Sequence, residues 1–248
     1  MIFFIPLAAL MAVSYYAYDM TSRLSHLEVG DRVNFIERTW ERTRNINFAI
    51  QEYEKLAKGQ KNPQLLVRLG ELYYSRSWFP NHTDGKDIEL AIKTIHEGNT
   101  LYQEKHEKEF WLANSTLASI YYSQKELEKA IEAGEKAIAL NPNDTESLNT
   151  LAWIYVTSPD PAFQRFTKAR RYAEKAVKLT NKKEYETLDT LAVVYQRLGE
   201  IDLAVDILKG VIDKDRSIPK ATLADFNQRL EELEKDKMKL VSREPSVG

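Results

Sequence analysis

The sequence predicts an all-α fold built from repeated helical hairpins. Its 248 residues include only nine glycines and eight prolines, which favours long helices over many short strands. A five-residue pattern also recurs along the chain: leucine, a small residue, two variable residues and tyrosine. Recurrence at a regular interval is typical of a repeat protein, in which each unit buries its apolar face against its neighbours.

Composition limits the classes of function. The chain is 43% hydrophobic and 29% charged, which is typical of a folded protein. Its net charge of −2 provides no basic field for nucleic acid, so we expect no nucleic-acid partner. The chain has no cysteine, which excludes disulfides, thiolate zinc sites, iron–sulfur clusters and cysteine nucleophiles.

The repeated pattern has a measurable period. Leu117 and Leu151 open two copies that are 34 residues apart, and the next copy, opened by Leu191, is delayed by six more residues. An upstream copy begins at Leu69 and is followed by a larger insertion. Each copy is followed by an alanine that opens a second predicted helix, at Ala91, Ala130, Ala169 and Ala204. Pro142 then follows one of these second helices, where it cannot extend the helix.

These positions resemble the tetratricopeptide repeat (TPR) family over about residues 63–218. The resemblance implies a right-handed α-solenoid of helix-turn-helix repeats, in which small residues let helix A of each unit approach helix B closely. Those small residues are Gly70, Ala118, Ala152 and Ala192. The fourth helix-A position departs from the tryptophan frequent in the family and holds Leu66, Asn114, Leu148 or Leu188.

The first eighteen residues carry no charged side chain before Asp19. A stretch of about 17–20 apolar residues is long enough to cross a bilayer. Residues 1–18 therefore predict a transmembrane helix or uncleaved signal anchor, with a cleaved signal peptide and a buried capping helix as alternatives. Arginines from Arg23 to Arg44 follow this segment, so the positive-inside rule favours a cytoplasmic repeat domain on a single-pass membrane protein, with a periplasmic location as the alternative.

The rest of the chain divides into predicted units. Residues 22–62 form a degenerate N-terminal helical pair, and residues 219–240 form a C-terminal capping helix with Leu223, Phe226, Leu230 and Leu233 at helical spacing. The predicted repeats are 63–110 with an insertion, 111–144, 145–184 with a short insertion, and 185–218. Residues 241–248 are expected to form a flexible tail.

The TPR resemblance also implies a binding site, because helix A of each unit lines a concave groove in that family. The matching positions are Glu71, Tyr74, Ser115, Ser119, Tyr122, Glu146, Asn149, Trp153, Asp189, Gln196 and Arg197. The set combines aromatic anchors with acidic residues, so the expected partner is a peptide or helix with apolar anchors and basic residues. The acids, including Glu186, disfavour recognition of a C-terminal carboxylate. Packing between units remains the alternative role for Tyr122 and Trp153.

No motif for catalysis, a metal or a cofactor occurs in the sequence. His82 and Asp84 share the insertion at residues 76–88, which makes that segment the candidate for an enzyme if they converge with Glu71. The expected function is instead a non-catalytic adaptor that binds a protein partner and organises a complex at a membrane. An exported TPR assembly factor and an enzyme using the insertion are the alternatives.

Overall fold

The computed structural model describes residues 28–80, 82, 85–181, 184–214 and 218–241, which form eleven α-helices, one short 3-10 helix and no strand. The chain divides into two compact units between Thr94 and Ile95. The first unit contains α1 (Val29–Thr43), α2 (Ile46–Gly59), α3 (Pro63–Arg76) and the start of α4 (Lys86–His106). The second contains the rest of α4, then α5 (Trp111–Ser123), α6 (Leu127–Leu140), α7 (Thr145–Thr157), the 3-10 helix Pro161–Phe163, α8 (Phe166–Leu179), α9 (Tyr185–Arg197), α10 (Ile201–Lys214) and α11 (Lys220–Val241).

Several helices begin at residues whose side chains cap the first turn. The Asn62 side chain accepts hydrogen bonds from the first backbone N–H groups of α3, and Pro63 occupies the position where a missing N–H costs least. The Asp144 carboxylate accepts a hydrogen bond from the Ser147 backbone N–H at 3.2 Å and so starts α7. These caps fix the hairpin boundaries locally, before any tertiary contact is made.

In the second unit, the helices pack as hairpins in chain order. The pairs α5 with α6, α7 with α8, and α9 with α10 are in contact, and α7 also packs on α5 and on α9. Small residues occupy the crossings: Ala118, Ala130, Ala152, Ala169, Ala192 and Ala204 are all almost fully buried. At Gly134 of α6 the approach is closer still, because an added Cβ would lie 3.0 Å from Leu151 Cγ. The missing side chain of Gly134 therefore leaves the space that the Leu151 side chain fills.

The repeated tyrosine of each helix A binds a polar group on the preceding helix B. The Tyr155 hydroxyl donates to Glu135 Oε1 at 2.8 Å, and the Tyr195 hydroxyl donates to Glu174 Oε1 at 3.2 Å. Burial, followed by the hydrogen-bonded Glu135 carboxylate, raises the pKa of Tyr155 well above its ordinary 10.0. These bonds join each hairpin to the one before it.

Two further tyrosines follow the same pattern, one of them with a different partner. In the first unit the Tyr73 hydroxyl donates to Glu54 Oε1 at 2.6 Å. In the second unit the Tyr121 hydroxyl lies 3.3 Å from His96 Nε2. His96 stands five residues after the buried Ala91, the position that a glutamate occupies in the other three cases. The tyrosine bond is therefore retained where its partner is an imidazole.

An ion-pair cluster lies near the start of the first unit. Arg68 of α3 contacts Glu37 of α1 at 2.7 Å and Glu71 of its own helix at 2.9 Å. The Tyr53 hydroxyl also donates to Glu37. Burial raises the pKa of Glu37, but the hydrogen bonds from Arg68 and Tyr53 outweigh it and leave that pKa below its ordinary value. The predicted pairing of α1 and α2 therefore extends to α3 through charged side chains.

The predicted single-pass membrane localisation is corrected by the described helices. In the part of the chain that the structure describes, no helix is long and apolar enough to cross a bilayer. The longest, α11, has 22 residues but carries charged side chains throughout its length. The predicted anchor at residues 1–18 lies outside the described residues. Of the predicted tail at residues 241–248, Val241 ends α11 and the rest lies outside the described residues.

Candidate functional site

An aromatic pair lies on the second unit where α5 and α7 run side by side. Trp153 Nε1 of α7 donates a hydrogen bond to the Tyr122 hydroxyl of α5 at 2.6 Å. Tyr122 is 37% exposed, and Trp153 is partly buried against the core. The indole is therefore held by packing on one side and by a hydrogen bond at its polar edge, while part of both rings remains open to solvent. Such rigid, half-exposed aromatic surface suits a binding anchor.

A second bond joins the same two helices beside the aromatic pair. Ser119 Oγ donates to Glu146 Oε1 at 2.8 Å, and Glu146 remains exposed. Asn149 lies one helical turn further along α7, and its Oδ1 is buried without accepting a hydrogen bond from the described residues. A buried acceptor left without a donor costs about 1–3 kcal/mol. This part of the surface thus joins exposed negative charge to aromatic carbon.

Two of the predicted groove residues are bound to other helices, and Ser115 is buried whereas Asp189 is partly exposed. Ser115 is 2% exposed, and its hydroxyl accepts a hydrogen bond from Ser147 Oγ at 3.2 Å. Asp189 of α9 forms an ion pair with Arg229 of α11. Burial raises the pKa of Asp189, and the positive charge of Arg229 only partly opposes that rise. Both side chains therefore join helices to one another in this structure.

The other predicted residues occupy separate places. Gln196 and Arg197 lie at the end of α9, where Arg197 is exposed. Glu71 and Tyr74 belong to the first unit, where Glu71 binds Arg68 and the Tyr74 ring meets the edge of Trp78 at 5.8 Å between ring centroids. Trp78 is itself 69% exposed. The structure thus brings together the residues of α5 and α7.

The insertion contains an ion pair, and its two described candidate residues, His82 and Glu71, bind different partners. His82 Nδ1 lies 3.3 Å from Asp87 Oδ2, and the Asp87 carboxylate also accepts hydrogen bonds from two nitrogens of Arg76. Glu71 binds Arg68 instead, and Asp84 lies outside the described residues. Among the residues that the structure describes, no group of three or more histidine or acidic side chains could hold a metal.

Sequence reasoning missed two interactions that decide which residues are accessible. The tyrosine bonds to helix B were not predicted, although an acid five residues after the small alanine is visible in the sequence at Glu54, Glu135 and Glu174. The pairing of Asp189 with Arg229 joins positions 40 residues apart, and no local pattern indicates it.

A known protein family matches the hairpin of α5 and α6, which carries Ser119 and Tyr122. Residues 111–144 match the model of the tetratricopeptide repeat. They comprise α5 and α6, so Ser119 and Tyr122 lie on the first helix of a TPR hairpin. A search of the curated proteins finds no match to the sequence.

Solved structures with the same kind of fold include bacterial TPR proteins. A tetratricopeptide repeat protein from Parabacteroides merdae aligns with a TM-score of 0.55 at 16% identity, over 86% of this chain and 76% of its own. The pilF protein of Pseudomonas aeruginosa aligns with a TM-score of 0.60 at 14% identity, over 86% and 87%. A thermophilic TPR protein from Thermus thermophilus aligns with a TM-score of 0.56 at 14% identity, over 81% and 96%.

At these identities the likeness shows the fold alone. The prediction of an all-α, TPR-like helical repeat is confirmed by the family match and by these structures. Tetratricopeptide repeats generally mediate protein–protein interactions, so the general expectation of a protein-binding role is supported as well.

Proposed function

We propose that this chain is a non-catalytic interaction protein that binds a peptide or helix of a protein partner on the second unit. The binding surface, here called the helix-A face, comprises Ser119, Tyr122, Glu146, Asn149 and Trp153, with Gln196 and Arg197 at its far end. The observation that carries the proposal is the half-exposed Tyr122–Trp153 pair, linked at 2.6 Å and supported from beneath by the core.

The packing of the pair explains why it suits binding. An isolated exposed ring must lose side-chain freedom when a partner covers it, which weakens binding. The Trp153 indole is already held by the core and by the Tyr122 hydroxyl, so less freedom remains to be lost. Truncation of a true aromatic hot spot costs at least about 2 kcal/mol of binding free energy.

Charge on the helix-A face indicates the partner's chemistry. Glu146 and Glu186 are both exposed on the helices that form this face. A partner with an apolar anchor and a neighbouring lysine or arginine would meet carbon and negative charge together. A partner that presented a carboxylate at the same place would be repelled. We therefore expect a basic, amphipathic segment as the ligand.

The proposal is tested by quantitative affinity capture with the full chain and two single variants. Tyr122→Ala removes an exposed ring from the helix-A face, and Leu140→Lys changes a side chain of similar exposure, 40%, on α6, which is a helix B and contributes no residue to this face. A partner held by the wild type and by Leu140→Lys, and lost from Tyr122→Ala, is the expected result. Circular dichroism must show the same helix content in all three proteins. A partner list unchanged by Tyr122→Ala would contradict the proposal.

A further inference from the structure

An open apolar groove lies on the other side of α9, between the two helices B that flank it. Its cavity volume is about 740 Å³, and its residues come from α8, α9 and α10. Val177, Leu191 and Val211 are buried at its base, whereas Leu203 on its wall is 43% exposed. We call it the helix-B groove. A cavity of a few hundred cubic ångströms with an apolar lining has the dimensions of a ligand site.

The corresponding space between the preceding pair of helices B, α6 and α8, is filled by side chains of the chain itself. We call each space between consecutive helices B an interval. Tyr172 of α8 is 9% exposed and packs into the core between these helices. Lys168 Nζ crosses to Glu135 at 3.1 Å, and Lys175 Nζ donates to the Pro142 carbonyl oxygen. One ring with a lysine on either side therefore closes this interval.

The helix-B groove lacks all three of these side chains. The buried alanines Ala169 and Ala204 are 35 residues apart, and this offset aligns α8 with α10. At the positions of Lys168, Tyr172 and Lys175, α10 carries Leu203, Ile207 and Gly210. Isoleucine is shorter than tyrosine, and neither leucine nor glycine can reach a carboxylate or carbonyl on the facing helix. The second interval therefore stays open where the first is filled.

Acidic side chains lie beside the groove, where α10 provides no lysine to pair with them. Asp206 of α10 lines the groove and is exposed. Lys237 of α11 pairs with Asp202 and also interacts electrostatically with Asp206. Glu174 of α8 corresponds to Glu135 and is 43% exposed; it accepts from Tyr195 and from Arg170 of its own helix. Lys178 of α8 also lines the groove. A ligand with basic groups on the Asp206 side would therefore be attracted.

We propose that the helix-B groove docks an amphipathic helix of a partner protein, distinct from the ligand of the helix-A face. The docked helix presents one aromatic side chain to the apolar base, with a lysine or arginine four residues before it and another three residues after it. This spacing is that of Lys168, Tyr172 and Lys175, the side chains that close the neighbouring interval. Residues three and four apart lie on one face of a helix, so all three can point into the groove together.

The test uses the full chain and a labelled peptide. The probe is a fluorescein-labelled, alanine- and glutamate-based helical peptide of about 15 residues that carries the Lys-x3-Tyr-x2-Lys pattern. A second peptide, with the tyrosine replaced by alanine, is the matched control. Fluorescence anisotropy is expected to show saturable binding of the first peptide and binding at least about tenfold weaker for the second.

Protein variants locate the binding site. Leu203→Lys places a charge on the groove wall, and Ile207→Tyr fills the groove with the side chain that α8 carries at that position; each is expected to weaken binding by about tenfold or more. Leu140→Lys changes a leucine that is 40% exposed on α6, outside the groove, and is expected to leave binding unchanged, as is Tyr122→Ala. Thermal unfolding by circular dichroism confirms that each variant is folded.

Three outcomes would overturn the proposal. The first is an absence of saturable binding, or equal binding of both peptides. The second is binding that is lost in Tyr122→Ala but kept in Leu203→Lys, which would place the peptide on the helix-A face. The third is concentration-dependent self-association of the wild type that Leu203→Lys abolishes, which would show that a second copy of the chain occupies the groove. None of these outcomes decides whether the helix-A face binds its own partner.

Discussion

The close approach of α6 and α7 at Gly134 makes a quantitative prediction about stability. A Cβ added at Gly134 would lie 3.0, 3.1 and 3.3 Å from three carbons of the Leu151 side chain. Leu151 is fully buried within the core cluster, so it has little room to move. Forcing an extra carbon into such a core costs about 1–3 kcal/mol. Replacing a glycine inside a helix by alanine gains about 1 kcal/mol. Gly134→Ala should therefore destabilise the protein by about 1 kcal/mol.

Gly210 is the matched control for this substitution. It also lies inside a helix, α10, but an added Cβ would meet nothing within 4 Å. Gly210→Ala should therefore stabilise the protein by about 0.5–1 kcal/mol. Urea unfolding of the full chain, followed by circular dichroism, measures both changes. A Gly134→Ala protein at least as stable as the wild type would refute the close-packing argument.

A second substitution tests the cause of the expected loss. Leu151→Val shortens the side chain that the new Cβ would meet. If the clash with Leu151 is responsible, Gly134→Ala should cost less in the Leu151→Val background than in the wild type, and the two changes should show a coupling energy. Additive effects would instead assign the loss to a different contact.

The other predictions concern pairs that join neighbouring helices. Arg229→Ala should destabilise the chain by about 1–3 kcal/mol, because the partly buried Asp189 carboxyl group loses its partner, and Asp189→Asn should recover part of that loss in urea unfolding. The folded-state pKa of Tyr155 is raised above its ordinary 10.0, so the contribution of Tyr155 to stability should be complete below pH 10 and should be lost as the pH rises through the folded-state pKa. Tyr155→Phe should therefore reduce the alkaline loss of stability, which is measured as the free energy of unfolding at a series of pH values. His96→Glu should give the Tyr121 hydroxyl a charged acceptor and raise the free energy of unfolding in urea at neutral pH by about 0.5 kcal/mol for this exposed pair. An unchanged free energy of unfolding would argue against a shared role for the repeated bond.

The hairpins of the second unit follow from information that is local in the sequence. Ala118 and Ala130 occur where two helices must cross closely, and a large side chain at either place would separate them. Asp144 caps α7 through an atom only three residues away. Requirements of this kind recur with every repeat, so a single chain displays them several times. That is why the all-α repeat fold could be predicted without a structure.

Accessibility was decided by contacts between residues 30–40 positions apart, and only the tertiary structure shows them. Ser115 occupies a predicted groove position, but Ser147 of the next helix A covers it. Asp189 meets Arg229 because α11 packs beside the last hairpin. The helix-B groove stays open because α10 carries Ile207 where α8 carries Tyr172, a difference that matters only once the two helices flank α9. Helix periodicity places a residue on a face, whereas the side chain across from it decides whether that face is free.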